Sequence, residues 1–169
     1  CLSRGLGDVY KRQVFGFGVQ LKNNSGSTIS SISVSYTGEQ YRKENNANAD
    51  QILFYYQVFS SVQNTITNST TGWIAVTALD FTGPQKSATT ATVLNGNLAA
   101  NKVVFASTPI PNITIPTDSF VIFKWLDQNA SGTDHGLAID DVTISWTVPP
   151  TCTTCLLYTS DAADDLLCV

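Results

Sequence analysis

Apolar and polar positions alternate along most of the middle of this chain, in short runs broken by Gly, Asn and Pro. Phe15, Phe17, Val19 and Leu21 are separated by small or polar residues, and a period of two puts all four on one face of a strand. The polar stretch NNSGS then turns the chain, and Ile29 to Tyr36 repeats the pattern with Ile32, Val34 and Tyr36 in phase. Further strands are predicted over Ile52 to Val62, Trp73 to Phe81, Ala88 to Leu94, Val103 to Ala106, Ile113 to Ile115, Phe120 to Leu126 and Leu137 to Val148. The continuous apolar run Phe120-Val121-Ile122-Phe123 fits a strand covered on both faces. Pro109, Pro111 and Pro116 belong at edges and corners, where no ladder donor is needed. About nine short strands with no helical period between them predict an all-β chain: a two-sheet antiparallel β-sandwich of jelly-roll-like topology.

Two stretches stand outside this pattern. Ser3 to Gln13 resembles a translated transposase-type sequencing adapter, and Cys155 to Asp165 resembles its partner read from the other strand. The genetic code supplies a check. Asp8-Val9-Tyr10-Lys11-Arg12-Gln13 can be written GAT GTG TAT AAG AGA CAG, whose reverse complement, shifted by one base, encodes Cys155-Leu156-Leu157-Tyr158-Thr159 and the start of Ser160. The expected organisation is therefore adapter over residues 1–13, one sandwich module over 14–150, the start of a linker over 151–154, and adapter over 155–169.

Setting the ends aside changes the charge and the cysteine count. Arg4, Lys11, Arg12, Asp8, Asp161, Asp164 and Asp165 drop out, leaving six basic residues against nine acidic ones. That mild acidity without a basic cluster argues against nucleic-acid or anionic-membrane binding. No stretch approaches the ~20 apolar residues of a membrane-spanning helix. Only Cys152 remains as a native cysteine, so no disulfide framework can be read. Low charge, no Met and an abundance of Thr, Ser and Asn lean toward a secreted or cell-surface protein.

Four segments carry a resemblance: VQLKNNSGSTISSISVSY, VSYTGEQYR, VLNGNLAANK and FKWLDQNASGTDHGLAIDDVTISW. Together they resemble an uncharacterised family of bacterial secreted β-sandwich modules found beside surface-anchoring signals, lamin-tail-like domains or extracellular hydrolases. The DHGLAIDDV strand is also similar to one in MAM-type and other lectin-like jelly rolls. The resemblance implies a recognition or adhesion module, with Tyr41 standing where the related modules usually place Trp.

The densest polar constellation is Asp127, Asn129, Asp134, His135, Asp140 and Asp141. Carboxylate and amide oxygens on a turn-rich loop are what calcium takes, which makes Asp127, Asn129, Asp134 and Asp140 the candidate ligands. The same oxygens serve equally to cap their own loop's amides as Asx-turns. His135, the single histidine, has no G-x-S-x-G nucleophile to serve and too few His or Cys companions for zinc. It reads as a structural residue that pins the loop. Glu39 and Arg42 could pair with each other or join the loop in a binding patch of Glu39, Arg42, Asp127, Asp134, His135 and Asp140. Glu39 with Asp134 or Asp140 is the one carboxylate pairing a glycosidase could use, at a separation of about 5–10 Å.

Strand parity adds two expectations. Val142, Ile144 and Trp146 mark the core side of the last strand, so an unbroken register puts Asp140 inward, with a dedicated partner, and Asp141 outward. A β-bulge near Ile139 would exchange them. Trp125 and Trp146 are expected in the core, and Tyr55 and Tyr56 on opposite faces. The function expected from all this is a non-catalytic extracellular binding or adhesion module for polysaccharide or cell-surface glycan, an accessory domain beside others in one chain. Alternatives are a structural spacer and, further off, a glycoside hydrolase. No cofactor is required beyond the calcium those ligands would take.

Overall fold

The structure is a computed structural model and describes residues 14–128 and 131–148. Both adapter-like stretches, the linker residues 151–154, Pro149, Pro150 and Asn129 lie outside the described residues. Nine strands form two antiparallel sheets: β1 (Phe15–Lys22), β2 (Ser31–Lys43), β3 (Gln51–Phe59), β4 (Ile74–Ala75), β5 (Phe81–Thr82), β6 (Thr92–Val93), β7 (Lys102–Pro109), β8 (Phe120–Asp127) and β9 (Gly136–Thr147). In the first sheet β8 lies between β1 and β3, and the short β4 and β5 pair with the far side of β3. In the second, β2 is central, paired with β9 along nearly its whole length and with β7 and β6.

The period of two does what it predicts. Ile32, Val34 and Tyr36 of β2, Ile52, Phe54 and Tyr56 of β3, and Val121, Phe123 and Trp125 of β8 all face inward and are buried. Trp125 is the hub: its ring stacks on Phe17 and meets Tyr36 and Phe54 edge-on, at centroid distances of 6.0, 5.7 and 5.2 Å. Such offset and edge-to-face pairs add about 0.5–1.5 kcal/mol each beyond area burial.

Three predicted strands are shorter than their sequence suggests. The stretch from Trp73 to Phe81 is broken by a 3-10 turn at Thr77–Leu79, which drops Leu79 into the core between β4 and β5. Of Ala88 to Leu94 only Thr92–Val93 pair. Ile113 to Ile115 keeps a single bridge, Ile29 to Ile115, while both isoleucines are buried as a plug. Conversely β2 runs on through Lys43, seven residues past Tyr36.

The β1 and β9 edges lie on the same side of the sandwich and leave a groove of about 480 Å³ between them, lined by Phe17, Val19, Leu21, Ile139, Val142 and Trp146 among others. Val142 and Trp146 do face the core side, but as the lip of an open margin they remain 43% and 54% exposed. Tyr56 is buried and Tyr55 is half-buried on the opposite face.

The buried tyrosines set an alkaline limit. Tyr36 donates its hydroxyl to the Leu79 carbonyl, and burial, reinforced by the Asp80 charge, pushes its pKa far above the ordinary 10.0. Burial also raises Tyr55 and Tyr56. Above pH 10 the unfolded chain therefore sheds protons that the folded one keeps, and stability falls. Lys124 acts oppositely, since burial lowers its pKa, and its effect ends at the ordinary lysine value of 10.5. The urea midpoint should fall once the pH exceeds about 10.5, less steeply in Tyr36→Phe; a flat midpoint in that range would refute the assignment.

Candidate functional site

The outward face of β2 carries Thr37, Glu39 and Tyr41, in phase with one another and out of phase with the core. Glu39 is opposite Lys102 of β7 on one side and Ala138 of β9 on the other. Glu39 as a whole is only 2% exposed, although its side chain lies on the side of the sheet away from the core. Tyr41 donates its hydroxyl to Glu39 Oε2 at 2.7 Å. That hydrogen bond, then burial and the charges of Glu39 and Asp140, raise the Tyr41 pKa. Against the Tyr41 ring packs the loop that follows β6: a Cβ on Gly96 would stand 2.7 Å from two ring carbons, so only glycine lets the loop lie this close. The loop is a wall over the Tyr41 end of this face.

Two irregularities in the β2–β9 ladder bracket Glu39. Between Gln40 and Arg42 the register advances two residues on β2 for one on β9, which leaves Tyr41 as the extra residue. Between Ser35 and Thr37 it advances three on β9 for two on β2, and there Asp141 takes a left-handed φ of 54°. Bulges of this kind re-aim side chains and concentrate beside functional sites. The second bulge corrects the expectation for Asp140. It falls at Asp141 and Val142 rather than at Ile139, so Ile139 faces the core and Asp140 turns outward, exposed, opposite Thr37. Among the described residues the Asp140 carboxylate accepts the Asp141 amide alone, at 2.8 Å, while the Thr37 hydroxyl reaches Asp141 Oδ2 at 3.4 Å. Asp140→Ala is therefore expected to cost about 0.5 kcal/mol or less, as exposed positions do. A urea denaturation showing a loss above about 2 kcal/mol would restore the inward reading.

The single polar patch expected from the sequence thus divides in two. Glu39 and Asp140 share the outer face, two residues out of register across the β2–β9 pair. Gly136 is four strand residues from Asp140, about 13 Å at the rise of a strand, and Asp134 lies beyond it. Asp140 is therefore too far along the strand to share one cation with Asp134. Arg42 joins neither partner foreseen for it: its Nε is paired with Glu44.

The second group lies at the end of the sandwich, where the β2–β3 loop meets the β8–β9 loop. Asp127 closes β8 opposite Ile52, and Asp134 is exposed in the loop before β9. His135 is buried with both ring nitrogens committed. Nδ1 accepts the Glu44 amide at 2.9 Å and Nε2 faces the Asn48 carbonyl at 3.0 Å, which requires the neutral tautomer with its proton on Nε2. The structural role expected of His135 is what the geometry supports. The β2–β3 loop helps to hold the β8–β9 loop: Asn46 donates to the carbonyls of Ser131 and Thr133 at 2.9 and 3.0 Å.

Sequence reasoning did not join Tyr41 to Glu39 or pick out Lys102 on the outer face, nor Asn46, Asn48 and Asp50 at the sandwich end. The phase shared by Glu39 and Tyr41 could have found the first; nothing in the polar run NNANAD marks Asp50. Neither the known family models, the curated proteins nor the solved structures contain a match to this chain.

Proposed function

We propose that this is a non-catalytic binding module which holds a hydroxyl-rich ligand, a polysaccharide or cell-surface glycan, on the outer face of β2, β7 and β9. One observation carries the reading: on the side of the sheet away from the core, a buried carboxylate fixes a tyrosine hydroxyl beside the loop around Gly96. Held in place by Glu39, the Tyr41 ring offers a stacking edge and the Lys102 amine a donor to sugar hydroxyls. The wall around Gly96 gives the face a side, and the exposed Asp140 carboxylate supplies an acceptor. Low charge and Thr, Ser and Asn richness support an extracellular setting, as an accessory domain of a larger surface or secreted protein.

The test is titration of the full chain with a polysaccharide panel on a glycan array, followed by calorimetry on any binder. Glu39→Gln and Tyr41→Ala are expected to weaken binding at least tenfold, with Trp146→Ala, on the far margin, leaving it unchanged. Absence of binding to every glycan at high protein concentration would favour the structural-spacer reading, and release of reducing sugar would favour the hydrolase.

A further inference from the structure

The loop that packs on Tyr41 carries the one Asn-Gly pair of the chain, Asn95-Gly96. Glycine after asparagine leaves the backbone nitrogen open to the side-chain amide, because no Cβ stands in the way. Gly96 lies against the Tyr41 ring, while Asn95 is exposed, so water reaches its amide. Three donors converge on the two oxygens of Asn95. Its Oδ1 accepts the Asn97 amide at 3.1 Å. Its backbone carbonyl accepts the Leu98 amide at 3.1 Å and Nδ2 of Asn101 at 3.0 Å. Asn101 is itself buried, so its side-chain donor is held in place. The bond from Asn97 makes an Asx-turn, which folds the Asn95 side chain over the peptide that follows and makes Cγ a neighbour of the Gly96 nitrogen.

We infer that Asn95 is a modification site, where the fold promotes spontaneous loss of the side-chain amide through a cyclic imide with Gly96. The Gly96 nitrogen attacks Cγ, the bond from Cγ to Nδ2 breaks, and Nδ2 leaves as ammonia with the proton that Gly96 gave up. Water then opens the imide at either carbonyl, its hydroxyl staying on the carbon and its proton returning to the Gly96 nitrogen. Opening at the backbone carbonyl bonds Gly96 to Cγ and gives isoaspartate; opening at Cγ gives aspartate. Each of the three donors assists a step. The Asn97 amide stands where negative charge grows on Oδ1 as Cγ is attacked. Leu98 and Asn101 draw electron density from the carbonyl of the very peptide whose nitrogen must lose its proton, and so make that proton more acidic. In isoaspartate the same carbonyl has become the free carboxylate, with two donors already in place to stabilise it. Holding both reacting groups in one turn adds the gain of proximity. Either product puts a negative charge into the wall over Tyr41, and isoaspartate also lengthens its main chain.

The full chain is held for several weeks in mildly alkaline buffer at physiological temperature, folded and in guanidinium. Mass spectrometry of its peptides follows the conversion of amide to acid, and enzymatic methylation counts isoaspartate. Asn95 should convert faster in the folded protein than in guanidinium. Asn101→Ala should slow the folded reaction severalfold and leave the rate in guanidinium unchanged. Asn95→Gln, at an exposed position, would have to close a six-membered ring and should keep its amide, which identifies the reacting residue whatever Asn101→Ala does to folding. These readouts are chemical, so they stand apart from any result on the glycan array. A folded protein whose Asn95 reacts no faster than in guanidinium would overturn the inference, as would an Asn101→Ala protein that reacts like the wild type or an Asn95→Gln protein that still gains the acid.

Discussion

Replacing Lys124 with methionine is expected to destabilise the protein by about 3 kcal/mol, more than any other exchange of similar volume on the outer face of the first sheet. Lys124 stands in the apolar run of β8, out of phase with Phe123 and Trp125, and so points away from the core; yet it is fully buried. The chain between β3 and β4 covers it. Its Nζ donates to the Thr67 and Ser69 carbonyls at 3.1 and 2.8 Å and lies 3.8 Å from the centre of the Trp73 ring. On β1, Gly16 and Gly18 leave room for the stem, whose Cδ is 3.7 Å from where a Gly16 Cβ would stand. Methionine fills the same space but leaves two carbonyls without donors and removes the cation–π contact, at about 1–3 kcal/mol for each orphaned group and about 1 kcal/mol or more for the ring. Sparing the burial of an ammonium returns part of that. Urea denaturation should show the loss, and limited proteolysis should show new cleavage between residues 60 and 73. A loss under about 1 kcal/mol with unchanged cleavage would mean that the loop does not depend on the amine.

Gly38→Ala should cost a comparable amount, about 3 kcal/mol, by the opposite route of overfilling. A Cβ at Gly38 would stand 2.4 to 2.8 Å from three carbons of the Phe81 ring, and Phe81 has no exposed surface through which to retreat. Nor can the backbone yield, because β2 is paired there with Val103 on one side and Ile139 on the other. Overpacking of this kind usually costs about 1–3 kcal/mol, and a site clamped on three sides belongs at the upper end. Phe81→Leu should recover part of the loss in the double variant, measured by the same denaturation. Additive losses would show that the two positions do not compete for the same space.

The parts of this fold that were legible in the sequence are those governed by local alternation. β1, β8 and the second half of β9 run where their period of two puts them, and Trp125 is in the core that its phase predicts. What was not legible depends on partners. The bulge at Asp141 exists because β9 must match β2, a strand about a hundred residues earlier, and no pattern within GLAIDDVTISW records that mismatch. The 3-10 turn at Thr77–Leu79 likewise interrupts an apolar run whose local signal is continuous. Glu39 was identifiable as an isolated carboxylate in a β-rich stretch. Its burial and its bond to Tyr41 follow from the loop wall around Gly96, which only the tertiary structure supplies. Asp50 was invisible for the same reason, since its environment is assembled from His135 and Asp134, which are distant in sequence.

The open margin between β1 and β9 has a consequence for how copies of this protein would meet. A free strand edge recruits other chains unless it is distorted or charged. The β9 edge has both protections, with its backbone kinked at Asp141 and two adjacent carboxylates facing water. The β1 edge, FGFGVQLK, has neither kink nor charge before its terminal Lys22. On concentration, β1 is the edge from which self-association is expected to start, and a single lysine placed at Phe15, already 48% exposed, should keep the molecules apart with least disturbance.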